Sequence, residues 1–210
     1  MKFLAAAGRH LIFEHTAKGS TPKIMSCDTL LGSVTPMPSV PVNADVYAGS
    51  DEHHANGHSF LAIATNTDTG VDCLCVDVTT SKQTTPYPFW IEGCAVVALH
   101  ASAACVAVAT ERSMTLIDPL TNRVYKFDPP TDIVALAAWR TDIGAYAGDY
   151  NGNVYAVSPI GVWFVGATPP RLLNLHALAD RSCLANTETH TSVLFEKNGR
   201  CIDFQRKTPH

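Results

Sequence analysis

The sequence has no long apolar run, no Cys-x-x-Cys pair, no large excess of either charge and no stretch with the periodicity of an amphipathic helix. Each absence excludes something. A membrane-spanning helix needs roughly 18–20 consecutive apolar residues, and none of the runs approaches that. The N-terminal run in MKFLAAAGRH stops at Arg9, short of the roughly 7–15 apolar residues of a secretion signal. A formal net charge of -4 gives no ground, from total charge, for a nucleic-acid or anionic-membrane binder. The cysteine count, 7, is odd, and most lie in apolar, strand-like runs. That is the pattern of reduced thiols in an intracellular protein, cytoplasmic or nuclear, and not of a disulfide framework. Cys73 and Cys75 would share one strand face, where packing is the default over metal or redox chemistry. There is also no Gly-x-Ser-x-Gly elbow, phosphate-binding glycine loop or dinucleotide fingerprint, so no enzyme activity and no cofactor is expected.

What is present is a repeat. FLAAAG from Phe3, FLAIAT from Phe60, CVAVAT from Cys105, IGAYAG from Ile143 and SCLANT from Ser182 line up, at separations of 57, 45, 38 and 39 residues. Each is followed by a short polar turn and a second apolar strand: HLIFEH, DCLCVDV, MTLIDPL, NVYAVSP and SVLFEKN. A third strand follows, clearest in VYKFD, VWFVGA and CIDFQR, and a further strand precedes most of the aligned segments. Four short strands per unit of about 40 residues, joined by tight turns, predict an all-β propeller of about five four-stranded blades. One such sheet cannot bury both faces alone; stacking against neighbours buries them. Asn151-Gly152 is a strong two-residue hairpin signal, and the prolines fall at turns or strand ends. The approximate blades are 1–40, 41–92, 93–130, 131–169 and 170–207, one domain over 1–210.

The chain resembles the WD-repeat family at these residues. LCVDVTTSK (74–82) and TLIDPLTNR (115–123) match that family's strand-ending aspartate and following turn, and DYNGNVYAV matches the hairpin before it. No Trp-Asp pair appears, and Gly57-His58 lies away from the family's Gly-His position. The resemblance implies a non-catalytic scaffold for protein–protein contacts, a subunit of a larger intracellular complex. It also makes an open ring, completed by a partner, a natural option.

Three further expectations concern sites. Phe3 reads as the start of a second strand, so the first blade is expected to lack its inner strand. The unfilled edge would then run along Phe3, Leu4, Ala5, Ala6, Ile202 and Phe204 and be completed by a partner chain. Loops alternate between the two faces of a propeller. One face is expected to collect acids, with Asp68, Glu111, Asp149, Tyr150 and Glu188 as a surface for a basic peptide. The other collects bases, among them Lys18, Arg123, Arg140 and Arg181. RNA binding through that face ranks last, because aromatic residues do not interleave with the charges. Asp51, Glu52, His53, His54 and His58 form a tight cluster in DEHHANGH, but without helical His-Glu-x-x-His spacing. An exposed loop is the expectation; a metal or propeller-enzyme site at His53, His54 and His58 is the alternative.

Overall fold

Short runs of alternating or continuous apolar residues, each closed by Gly, Asn, Asp or Pro, leave the chain no element other than strands. The computed structural model describes residues 1–50, 57–80, 82–83, 88–178 and 181–205, and among these there is no helix. The first sheet comprises β1 (Lys2–Ala7), β2 (His10–His15), β3 (Lys23–Asp28) and β4 (Val34–Pro36). The second comprises β5 (Val46–Gly49), β6 (Phe60–Asn66) and β7 (Val71–Asp77), with β8 (Lys82–Gln83) and β9 (Phe89–Ile91) sharing the place beyond β7. The third holds β10 (Val96–Ala101), β11 (Val106–Thr110), β12 (Met114–Ile117) and β13 (Val124–Phe127). The fourth holds β14 (Ile133–Ala138), β15 (Ala145–Asp149), β16 (Asn153–Ser158) and β17 (Gly161–Ala167). The fifth holds β18 (Leu172–Ala177), β19 (Ser182–Thr187), β20 (His190–Phe195) and β21 (Arg200–Gln205). Strands pair antiparallel in sequence order within every sheet.

The sheets stack face to face, also in sequence order, with β1 against β5, β5 against β10, β10 against β14 and β14 against β18. The interior sheets are covered on both sides. In the third, Val106, Val108 and Ile117 pack back onto Ala62, Ala64, Cys73 and Cys75, and Ala107, Ala109 and Leu116 pack forward onto Ala145, Ala147 and Val157. Small residues on facing strands let the backbones approach closely, which is why alanine dominates these junctions. Gly49 marks the tightest point: a Cβ there would lie 1.7 Å from the Ala6 carbonyl oxygen. Next to it the Gly8 N–H donates to the Ser50 carbonyl at 2.7 Å, tying the first two sheets together. Cys73 and Cys75 are fully buried in the junction between the second and third sheets, so packing is their role.

The first sheet corrects the expectation of an incomplete first unit. It has four strands, and β1 occupies the inner place. Two features fix the alignment. β1 has the irregularity in register, between Phe3 and Ala5, that β10, β14 and β18 have near their starts. At the other end, Asp28 closes β3 as Asp118 closes β12. Asp28 Oδ1 accepts the N–H groups of Leu30 and Leu31, and Asp118 Oδ1 those of Leu120 and Thr121. Asp77 makes the corresponding turn with Thr79 and Thr80. The segment FLAAAG is therefore an inner strand, and HLIFEH takes the second place. Inner and second strands are both rich in small apolar residues, so composition alone shifted the unit by one strand.

Candidate interaction surfaces

Antiparallel order sends alternate loops to opposite rims. The rim expected to be acidic carries the β6–β7, β11–β12, β15–β16 and β19–β20 turns, but most of its acids are occupied by structure. Glu111 accepts the N–H of Cys94 and caps the loop before β10. That bond, with the N–H of Glu111 itself, holds its carboxyl down to about 2. Asp149 is buried and accepts the backbone and side-chain N–H groups of Asn153 at 2.9 and 2.8 Å, closing the β15–β16 hairpin. Glu188 pairs with Arg171 at 2.8 Å. Asp68 stays exposed, and Tyr150 is exposed while its carbonyl accepts the Arg171 N–H at 2.7 Å. The one-strand shift also exchanges two bases. Arg9 sits on the opposite rim, 2.9 Å from Asp28, and Lys18, in the β2–β3 loop, lies on the acidic one.

Of the histidine loop, His53 and His54 lie outside the described residues. His58 is committed to Asp77, its Nδ1 2.8 Å from Oδ2, and stacks on Phe60. Burial works to raise the Asp77 carboxyl, but hydrogen bonds from His58, Thr80 and Thr79 together outweigh it and hold it below its ordinary value. Among the described residues no group of three or more His, Cys, Asp or Glu is placed to hold a metal ion.

The two end sheets present the feature that sequence reading placed elsewhere. In the first sheet, Ala5, Ala7, Ile12 and Ile24 pack onto the second. On its other face, register places Phe3, Phe13 and Met25 in one row and Ala6, Leu11, Cys27 and Val34 in the next. Phe3 is 62% exposed, Val34 51% and Leu11 40%. In the fifth sheet, Leu175, Ala177, Cys183, Ala185 and Leu194 pack onto the fourth. Its open face has one row of His176, Leu184, Val193 and Ile202 and a second of Asn174, Asn186, Thr191 and Phe204. The polar row is bonded to itself: Asn186 Nδ2 donates to Asn174 Oδ1 at 2.8 Å, and Thr191 Oγ1 to Asn186 Oδ1 at 2.9 Å. Among the described residues, no packing comparable to the internal junctions joins the fifth sheet to the first. Of the residues expected at an unfilled strand edge, Phe3 and Ala6 are exposed on the open face, Ala5 is buried, and Ile202 and Phe204 lie on the last strand. Among the described residues, what lacks a neighbour is a pair of sheet faces, not a strand.

A cleft of about 610 Å³ opens on the rim opposite the acidic one, across the third, fourth and fifth sheets. Trp139 forms part of its wall, with the Arg181 guanidinium 4.0 Å above its ring and Arg181 paired to Asp142 at 2.5 Å. Behind Trp139, the Tyr146 hydroxyl donates to Glu196 at 2.7 Å. These charges are matched within the protein and serve to lock the fourth sheet to the fifth.

No family and no curated protein matches this sequence. Among solved structures, the chain is similar to the computationally designed Ika8 protein, with a TM-score of 0.65 at 14% identity. The match covers 96% of this chain and 61% of that one, so this chain spans less than two thirds of the designed protein's length. At that identity the likeness speaks to fold alone.

Proposed function

We propose that this chain is a non-catalytic interaction scaffold, an arc of β-propeller blades of the WD-repeat kind that works as a subunit of a larger intracellular assembly. The observation that carries the reading is the open apolar face of the first sheet. Interior sheets of the same stack bury such faces completely, and soluble proteins seldom leave a contiguous apolar sheet face in water. A partner covers it. Rigid sheets holding two rims of loops provide the platform. On the acidic rim, Asp68 and Tyr150 offer a second contact for a basic peptide. The seven free thiols, of which Cys73, Cys75, Cys105 and Cys183 are buried, fit a reducing compartment.

The test uses the purified chain. It should bind a dye specific for apolar surface, and Leu11→Glu with Phe3→Ser should reduce that binding while the circular dichroism spectrum stays unchanged. Equal dye binding by the chain and the double variant would remove the basis for the reading.

A further inference from the structure

One of the protein's own side chains occupies part of the rim cleft. Arg181 stands in the β18–β19 turn with its backbone in the left-handed region, at φ +58°. Glycine or asparagine takes that conformation at least cost, so the side chain, and not the turn, accounts for an arginine there. Its guanidinium lies over the Trp139 ring, 4.0 Å from the centroid, and pairs with Asp142. A planar cation on an indole face, with a carboxylate at its edge, is also how arginine is recognised between molecules. Here the contact is made within the chain and stays half-open to water: the Arg181 and Asp142 side chains are 45% and 57% exposed.

The surroundings have room for a second occupant. The open volume of about 610 Å³ lies in the range of sites that take a ligand. Two of the chain's three tryptophans, Trp139 and Trp163, line it, with ring centroids 6.2 Å apart and planes tilted by 58°. Leu120 and Ile160 also line it and are 47% and 91% exposed. Three carboxylates, Asp118, Asp142 and Glu196, stand against one base, Arg181; without Arg181 the charged lining would be acidic throughout. Trp139 is 4% exposed, and its Nε1 is a buried donor with no hydrogen-bond partner among the described residues. Native folds seldom leave such a group unpaired.

We propose that this cleft takes an arginine side chain from an extended peptide of a partner protein, and that Arg181 is the side chain it displaces. The incoming guanidinium takes the Trp139 face and the Asp142 carboxylate. An apolar residue next to it lies against Trp163, Leu120 and Ile160. A peptide carbonyl supplies the Trp139 N–H with its acceptor as Arg181 leaves the ring. Charge stays balanced, because one guanidinium leaves Asp142 as another arrives. Lysine is the weaker ligand, since a compact ammonium has no planar face to lay on the indole. The cleft lies on a rim, apart from the open face on which the scaffold reading stands, so either can fail alone.

The test titrates the full chain with acetyl-Ala-Arg-Leu-amide while NMR follows its indole N–H groups. Expected are shifts at Trp139 and Trp163 with Trp90 still, weaker binding of the same peptide with lysine, and none with citrulline, which keeps the shape without the charge. Each of the two contacts that hold Arg181 in place is worth about threefold at this exposure. Arg181→Ala and Arg181→Gln should therefore tighten peptide binding about tenfold. Asp142→Asn added to Arg181→Ala should cancel that gain, although no internal pair is left for it to break, and the circular dichroism of all three variants should match the parent. If Arg181 only fastens the two sheets, its removal lowers the melting temperature and leaves affinity unchanged, and the proposal falls. Equal binding of the citrulline peptide, or a Trp90 shift as large as that of Trp139, would also overturn it. So would free arginine amide binding as tightly as the peptide, since the occupant would then be a small cation and not a protein segment.

Discussion

Gly49→Ala places one methyl group at the junction of the first two sheets. The added carbon would lie 1.7 Å from the Ala6 carbonyl oxygen and 2.5 Å from its carbon. Both are backbone atoms, so no side chain can swing away. Ordinary contact requires the strands to separate by about 1.5–2 Å. That movement breaks the Gly8 to Ser50 hydrogen bond, worth about 1 kcal/mol net. It also loosens the cluster of Ala5, Ala7, Ile12 and Ile24 against Leu61, Ile63 and Val76. Overpacking alone costs about 1–3 kcal/mol, and the immobility of backbone puts this site at the upper end. The expected loss is therefore about 3–4 kcal/mol. Urea unfolding measures it, and hydrogen exchange locates it: β1 to β4 should open ahead of the other sheets. Gly19→Ala is the control. Gly19 has φ +77° with nothing within 4 Å, so its cost is conformational only, about 1 kcal/mol. A loss below 1 kcal/mol for Gly49→Ala, or equal losses for the two variants, would refute the claim that this contact sets the spacing of the sheets.

Three more outcomes follow from the geometry. Tyr146→Phe should lose about 1.5–3 kcal/mol in urea unfolding, because it deletes a hydrogen bond to the Glu196 carboxylate; Glu196→Gln should lose less, since the acceptor oxygen stays. With a thiol reagent at pH 8, Cys94 should react first, being exposed, while burial pushes Cys105 and Cys183 up to about 12 and keeps them silent until unfolding. The Glu111 carboxyl, held at about 2 in the fold, contributes stability that is complete above the unfolded value of about 4.3 and is lost as pH falls toward the folded one. The melting difference between the chain and Glu111→Gln should therefore shrink from pH 6 to pH 3, and a constant difference would show that the Cys94 contact has no charge component.

Much of the architecture was legible because it is local. Strand length, turn residues and the recurring small-residue segments follow from the sequence within one unit, and the sheet count follows from their number. The misplaced first unit shows the boundary of that method. Phe-Leu-Ala-Ala-Ala suits an inner or a second strand equally, since both are crowded by neighbours. The signal that separates them was present in Asp28, whose turn repeats that of Asp118, but the longer β2–β3 loop hides the match. The fate of the rim acids was not legible. Glu111 finds the loop before β10, and Glu188 finds Arg171, only once the first two strands of their sheets pair. Tyr146 and Glu196 meet across fifty residues only when the fourth and fifth sheets stack. The open faces were masked in another way: Leu11, Phe13 and Met25 have the composition of core, and among the described residues no sheet packs on their side.

The aspartate turns at Asp28, Asp77 and Asp118 have a consequence for the order of folding. Each closes its hairpin with contacts two or three residues away, so it forms without help from another sheet. The fourth sheet has Ser158 at that place, whose Oγ accepts the Ile160 N–H at 3.3 Å; the fifth has Phe195, whose side chain accepts no such bond, and must draw more of its definition from neighbours. A stack built this way is expected to acquire structure from its N-terminal side, with the locally closed hairpins as seeds and the fifth sheet as a late addition. During synthesis the ribosome releases the self-sufficient units first, which leaves the dependent ones a finished surface to condense upon.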